Sequence, residues 1–301
     1  MSRILITGAG GFAGQYFVRA LMAQGHDVHG LVKPDMPGAT PVMSATHAVD
    51  LMDLPALSRV VAQVAPKQVL HLAALSSVDH GNAKEIYDSN LIGSRNLLQS
   101  LADGAPDINR ILLMSSANVY GASAQGAIDE NFAPAPVNDY AISKFAMEQL
   151  PHLFSDRLRC TIVRPFNYSG VGQATRFLIP KIVEHVRARA PVIELGNLDV
   201  ARDFSDVRFV VTACLALLDN PDAVGETINI CAGRAYSLRE IIGKACDIAG
   251  HEMVTRVNPA FVRANEIPML WGDRTKLDRL TGPLSCPTLE DTLRWMIEAK
   301  P

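Results

Sequence analysis

Short apolar runs alternate with longer amphipathic ones along the first two thirds of the chain. RILIT (Arg3 to Thr7), DVHGLV (Asp27 to Val32), QVLHLA (Gln68 to Ala73), RILLMSS (Arg110 to Ser116) and CTIVRP (Cys160 to Pro165) are short and largely apolar, the pattern of strands buried on both faces. Between them, Phe12 to Gln24 carries Phe17, Val18 and Leu21 on one stripe. Gly81 to Ala102 places Ile86, Leu91, Leu97 and Leu98 at mixed three- and four-residue spacings. Both segments read as helices with one buried face. Gly25 stands where a left-handed residue ends the first of them. Strands separated by helices in this order predict an α/β fold, a parallel sheet wound on both faces.

After Pro165 the rhythm changes. Strand candidates at Thr227 to Ile230 and Met253 to Val257 are mixed with helices around Arg176 to Arg189, Val207 to Leu218, Leu238 to Ala249 and Leu289 to Ala299. The pattern predicts a first domain over 1–165 and a smaller C-terminal α/β lobe over 166–301, with parts of the chain crossing back to the sheet. The lobe is expected to close over the carboxyl edge of that sheet. No internal repeat and no low-complexity linker separates the two.

Composition narrows the classes of partner. The 301 residues are 48% hydrophobic, and 28 Lys and Arg against 31 Asp and Glu leave a formal charge of −3. No run of either sign provides a footprint for nucleic acid or an anionic membrane. Cys160, Cys214, Cys231, Cys246 and Cys286 are odd in number and lack C-x-x-C spacing, which suits reduced thiols. No signal-peptide pattern and no apolar stretch long enough to span a bilayer is found. A cytoplasmic protein is expected.

TGAGGFAG sets Gly8, Gly11 and Gly14 three apart, directly after a strand and at the head of a helix. Gly8 suits a tight turn, Gly11 the approach of a pyrophosphate to the backbone, and Gly14 the packing of helix on strand. This arrangement predicts a dinucleotide and a sheet of the Rossmann type. At the end of the second strand an acid would bond a ribose 2′-hydroxyl, and HGLVKPD has Val32 and Lys33 there. NADPH is therefore favoured, Lys33 facing the 2′-phosphate or standing as a solvated loop lysine, while Asp35 keeps NADH in play. Asp50 in VDLMD, followed by Leu51, is placed either to reach the adenine or to cap a helix.

NDYAISK puts Tyr140 and Lys144 four residues apart on a helix, on one face. An ammonium beside a phenol lowers its pKa, so Lys144 makes Tyr140 a candidate acid–base group. Upstream, LLMSSANVYG ends a strand with Ser115 and Ser116, where a hydroxyl either meets a ligand or caps the next turn. His71, His80 and His185 lack ligand spacing, and no metal is called for.

TGAGGFAG, SSANVYG and YAISK, in this order, resemble the extended short-chain dehydrogenase/reductase family that works on nucleotide sugars. The resemblance implies Tyr140 and Lys144 as the paired catalytic residues and Ser116 as the hydroxyl that holds the substrate oxygen. It gives Asn90 a structural or relay role, and sets Phe12, Ala13, Leu51, Leu72, Ala73 and Ala74 with the glycines around the cofactor. RPFNYSGVGQ, GNLDVARDFSDVRFVV, INICAGRAYSLREII and EIPMLWGDRTKL resemble the subgroup acting on GDP-sugars. By that likeness Asn167, Arg202 and Arg263 hold the diphosphate and Glu266 the ribose or nearby groups, although Ala264 stands where the subgroup usually has proline. Read without the likeness, Arg202 is as well suited to pair with Asp203 or Asp206.

Dehydratases of this kind carry a glutamate two positions after the catalytic hydroxyl, and this chain has Asn118. An amide transfers no proton at neutral pH, so elimination is disfavoured and carbonyl reduction remains. The reaction expected is reduction of the 4-keto group of GDP-4-keto-6-deoxy-D-mannose to GDP-D-rhamnose. A talose-type product, another nucleotide-sugar 4-reductase, an epimerase or a 4,6-dehydratase stays open. From a different class, a dinucleotide sensor without catalysis would keep the fold, but it would have no need of Tyr140 and Lys144. The likeness also implies a homodimer paired through Gly81 to Ala102 and Tyr140 to Phe154.

Overall fold

The computed structural model describes residues 1–34, 41–75, 82–121, 126–261 and 269–299. In its first stretch the chain runs β1 (Arg3–Thr7), α1 (Phe12–Ala23), β2 (Asp27–Val32), β3 (Ala45–Ala48), α2 (Leu54–Val64) and β4 (Gln68–His71). It continues through α3 (Ala83–Tyr87), a π turn over Asp88–Ile92, α4 (Gly93–Gly104) and β5 (Arg110–Met114). Then come β6 (Ala127–Ile128), α5 (Asp139–Gln149), β7 (Cys160–Pro165), β8 (Asn167–Ser169), α6 (Leu178–Arg187), β9 (Val192–Leu195) and β10 (Ala201–Asp206). The last stretch holds α7 (Val207–Asp219), β11 (Thr227–Ile230), β12 (Ala235–Ser237), α8 (Leu238–Ala249), β13 (Val254–Val257), β14 (Met269–Gly272), α9 (Thr275–Thr281) and α10 (Leu289–Glu298).

These elements form two compact units, and the chain passes between them more than once. The first comprises Met1–Val119, Pro136–Arg164 and Ala213–Ile228; the second comprises Tyr120–Ala135, Pro165–Thr212 and Asn229–Pro301. A seven-stranded sheet in the order β11-β7-β5-β4-β1-β2-β3 organises the first. Its interior pairs are parallel, with Ile4 opposite Val28 and Gln68, and Leu113 opposite Ile162. Thr227 to Ile230, beyond Pro165 in the chain, is the edge strand of this sheet. The backbone fixes it there, since the N–H groups of Gly225 and Ile162 donate to the carbonyls of Cys160 and Glu226.

Strand alternation explains why the apolar runs are continuous. Leu5, Val69, Ile111 and Leu113 face Leu57 and Val61 of α2, Leu97, Leu98 and Leu101 of α4, and Met147 of α5 in one core. Ile4, Ile6, Leu70 and Leu112 point the other way and are equally buried, as are Phe17, Val18 and Leu21 of α1. Local chemistry sets the helix ends. Asp53 caps α2 by accepting from Ala56 N–H, and Asn138 does the same for α5 through Ala141 N–H. Gly25 follows α1 with φ +78°.

In the second unit β10 is central, flanked by β12, β14 and β8, with β6 beyond β14. A separate parallel pair joins β9 to β13. Ile179, Ile182 and Val186 of α6, Ile241 of α8, and Leu293 and Met296 of α10 pack with Ile193, Leu195 and Phe204. Capping boxes at Ser237/Glu240 and Thr288/Asp291 start α8 and α10. Asp203 on β10 is fully buried and accepts from the backbone N–H groups of Ala232, Gly233 and Arg234 at 2.8, 2.9 and 3.2 Å. Burial pushes its carboxyl up to about 6 against the pull of those N–H groups.

Because Leu97 is fully enclosed between helix and sheet, Leu97→Ala is expected to destabilise the chain by about 2–5 kcal/mol. Urea unfolding of the two proteins measures it.

Candidate active site

The glycine loop is built by backbone proximity. Gly8 adopts φ +69°, and a Cβ there would come within 2.9 Å of the Ala73 backbone. Gly11 N–H donates to Gly8 C=O at 2.9 Å and Gly8 N–H to Leu31 C=O at 3.0 Å, which hold the turn against β2. At Gly14 a Cβ would lie 2.8 Å from the Ala9 carbonyl oxygen. No side chain caps α1 at Gly11. The helix start, with its exposed backbone dipole, suits an anion. Phe12 and Ala13 open the helix, and Leu72, Ala73 and Ala74 follow β4 beside the turn. A side chain would fill the space at Gly8 and Gly14, so the loop fits the pyrophosphate that the sequence assigns to it.

Lys33 and Asp50 leave the ends of β2 and β3 and form a solvent-exposed pair at 3.9 Å. Asp50 accepts from Met52 N–H at 2.9 Å, while the cap of α2 is Asp53. The helix-cap reading of Asp50 therefore gives way to a turn that places its carboxylate beside Lys33. Leu51 follows, and its carbonyl accepts from Asn96 Nδ2 at 2.9 Å.

The reacting set lies within the first unit. Ser116, directly beyond β5, accepts at Oγ from the Asn118 backbone N–H at 3.2 Å and from Asn118 Nδ2 at 3.1 Å. Both lone pairs are thus engaged, and the turn-cap reading of Ser116 is the one its bonds match, while its hydrogen remains available toward the Tyr140 side. Burial holds the Tyr140 phenol above its ordinary value, and the Ser116 hydroxyl pulls it back. Lys144 is 3% exposed. Loss of water lowers its pKa to about 8, against the opposing pull of the Glu148 carboxylate.

Behind these groups runs a continuous hydrogen-bond chain, and donor arithmetic fixes every proton in it. Ala73 N–H donates to Thr7 Oγ1 at 3.1 Å, leaving the Thr7 hydrogen for His71 Nδ1 at 2.7 Å. Ser94 Oγ donates to the Asn90 carbonyl at 2.7 Å, so it accepts from His71 Nε2 at 2.7 Å. His71 is therefore the neutral Nε2–H tautomer. Burial and the nearby Lys144 charge drive its pKa down to about 3. Asn90 Nδ2 donates onward to Ser143 Oγ at 3.0 Å, and Ser143 to the Tyr140 carbonyl at 2.8 Å. Asn90 also pairs with both backbone groups of Leu75, at 2.8 and 3.2 Å. It occupies the π turn, where Gly93 N–H reaches Asp88 C=O, a distortion common at functional sites.

Further support for α5 comes from residues that motif reasoning passes over. Glu148, one turn after Lys144, accepts from Arg164 Nε at 2.9 Å and Nη2 at 2.6 Å, and from Ser115 Oγ at 2.5 Å. A lone arginine in the apolar strand CTIVRP is the signal that could have found this network, as His71 in QVLHLA could have found the other.

In the second unit Asn167 Nδ2 donates to the Asp203 carbonyl at 3.2 Å, and Arg202 Nη1 to its neighbour Ala201 at 2.9 Å. The carboxylates weighed as Arg202 partners are engaged elsewhere. Asp203 sits among backbone N–H groups, and Asp206 forms a forked pair with Arg208 at 2.9 and 2.7 Å. Asp35, His80, Gly81, Arg263, Ala264 and Glu266 lie outside the described residues. His185 meets the Lys181 carbonyl at 2.8 Å through Nδ1. Among the described residues no group of three or more His, Cys, Asp or Glu side chains could hold a metal ion, and no helix is long and apolar enough to cross a membrane.

A parallel sheet with helices on its flanks and a glycine turn at the head of its first helix defines a Rossmann-like fold. The chain belongs to the NAD dependent epimerase/dehydratase family, whose sequence pattern matches residues 4–231. It is similar to GDP-6-deoxy-D-talose 4-dehydrogenase of Aggregatibacter actinomycetemcomitans, with 34% identity over 284 residues covering 93% of this chain and 91% of the relative. Similarity to GDP-6-deoxy-D-mannose reductase of Pseudomonas aeruginosa is 33% over 304 residues, covering 97% and 95%. Among solved structures, a Burkholderia cenocepacia J2315 protein superposes with TM-score 0.93 at 45% identity, covering 99% of this chain and 97% of that one. RMD from Pseudomonas aeruginosa complexed with NADPH superposes with TM-score 0.85 at 31% identity, covering 99% and 98%.

The His71 pKa carries a stability consequence. Above about pH 6.5 the imidazole is neutral folded or unfolded; below that value the unfolded chain takes up a proton that the folded one refuses until about pH 3. Stability therefore falls on acidification across this window, by up to about 1.4 kcal/mol per pH unit from this group. In His71→Gln this component of the slope should vanish, as urea melts at a series of pH values will show.

Proposed function

We propose that the protein is an NADPH-dependent 4-reductase of a GDP-4-keto-6-deoxyhexose, with GDP-4-keto-6-deoxy-D-mannose as substrate and GDP-D-rhamnose as product. The observation that carries this reading is geometric: the glycine turn after β1 and Ser116 after β5 lie at the same end of a parallel sheet, with Tyr140 and Lys144 one turn apart on α5. A phenol that is protonated at neutral pH is the form able to give a proton to a carbonyl oxygen. A bound reduced nicotinamide supplies the hydride that converts the carbonyl carbon to an alcohol carbon. Tyr140 delivers the proton to the resulting oxygen, Ser116 orients that oxygen, and Lys144 stabilises the phenolate left behind.

Asn118 supports reduction over dehydration. Its amide is engaged with Ser116 Oγ, and it has no proton to exchange at neutral pH. Asn167, Arg202, Arg263 and Glu266 are the groups proposed for the diphosphate and ribose, a guanidinium fork being suited to phosphate oxygens. The likeness to relatives named for GDP-6-deoxyhexose chemistry points to the same substrate class. One relative is named for GDP-6-deoxy-D-talose, so a talose-configured product is the second reading; the proton coupling constants at C4 of the isolated product separate the two.

A symmetric dimer and a cytoplasmic location complete the proposal. Ile92, Ile142 and Leu153, exposed by 39%, 41% and 64%, put apolar surface on the helices that would pair.

Tyr140→Phe is expected to lower kcat by about 10²–10⁴-fold with cofactor affinity retained. The test is NADPH consumption with the keto sugar beside a fluorescence titration of NADPH; undiminished turnover would remove Tyr140 from its role. Lys33→Ala should weaken NADPH about fivefold, the worth of roughly 1 kcal/mol for an exposed charge pair, and leave NADH unchanged in the same titration.

A further inference from the structure

The buried ion pair behind α5 has no part in the reading above, yet its geometry ties the reacting groups together. Glu148 and Arg164 have side chains 2% and 7% exposed. Three donors converge on the Glu148 carboxylate, two from Arg164 on β7 and one from Ser115 at the end of β5. Ser115 and Ser116 are neighbours. The first bonds α5 at Glu148, so that β5 and β7 both hold the helix at this residue. Tyr140 lies eight residues earlier, about 12 Å along the helix axis, with Lys144 halfway between the two.

We propose that Glu148 is a positioning residue for the reduction: clamped by Arg164 and Ser115, its carboxylate fixes α5 against β5 and supplies the negative charge that keeps the buried Lys144 ammonium protonated. The inference rests on the reading of Tyr140 and Lys144 given above. Lys144 faces Tyr140 and Glu148 on its own helix and His71 from β4, with Arg164 behind Glu148. His71 is locked neutral by Thr7 and Ser94, so it offers no compensating charge. Among these groups the one carboxylate is Glu148, and its pull on Lys144 opposes the lowering caused by burial. Replacing one member of a buried pair leaves the other uncompensated, so the two charges have opposite effects on a third group nearby.

That opposition supplies the test. Lys144 is followed by NMR in protein labelled with 13C at lysine Cε, its signal assigned by its loss in Lys144→Met. Glu148→Gln is expected to lower the Lys144 pKa by about one unit, a tenfold change in proton affinity, and Arg164→Gln to raise it. The alkaline limb of kcat/KM should move to lower pH in Glu148→Gln and to higher pH in Arg164→Gln. A network that merely braces the fold would shift both variants alike or neither, and that result overturns the proposal. Should neither charge variant fold, Ser115→Ala decides: kcat should fall about tenfold with KM and NADPH affinity unchanged, the worth of one hydrogen bond to a charged group, and an unchanged kcat refutes the clamp. The NMR titration needs no substrate. Absence of turnover with the keto sugar alongside the expected shifts would therefore count against the proposed reaction and leave the role of Glu148 standing.

Discussion

An ammonium enclosed by protein is costly, because the water it loses must be replaced by groups of fixed orientation. Lys144 is such a group, and much of the first unit is arranged around it. The neighbouring imidazole is held neutral by two hydroxyl partners. One turn along the helix lies a carboxylate, itself saturated by donors so that it cannot swing away. The phenol sits one turn in the other direction, and the Ser116 hydroxyl beyond β5 has its lone pairs occupied by Asn118. The imidazole and the carboxylate are each bonded to a strand end, so the stiffness of the parallel sheet is transmitted to the reacting atoms.

The second unit handles a buried charge differently. Asp203 is surrounded by peptide N–H groups from the segment after β11. Burial raises the carboxyl's pKa, and the peptide N–H groups pull it back only in part.

The strands and helices of the first unit were legible because their pattern is set by burial on both faces of one sheet. RILIT, DVHGLV and CTIVRP match β1, β2 and β7 at both ends. Two elements escaped for physical reasons: strand β3 (ATHA) alternates polar and apolar only briefly at an edge, and α2 carries a proline at its second position. Strand β11 is legible as a strand, but its place in the sheet is not, because that partner is chosen by contacts distant in sequence. At the site, Tyr140, Lys144, Ser116 and the glycines announce themselves by spacing. Glu148, Arg164 and His71 do not, since their meaning arises only when three strand ends and one helix converge.

The π turn at Asp88–Ile92 separates two demands that a regular helix would confound. A single additional residue is absorbed within one wide turn, so the flanking helices keep their faces toward the sheet while Asn90 is turned inward to meet Leu75 and Ser143. Excision of one residue from that turn would regularise the helix and withdraw the amide from Leu75 and Ser143. Chain length at this point therefore governs where one buried amide sits, separately from the packing of the helices on either side.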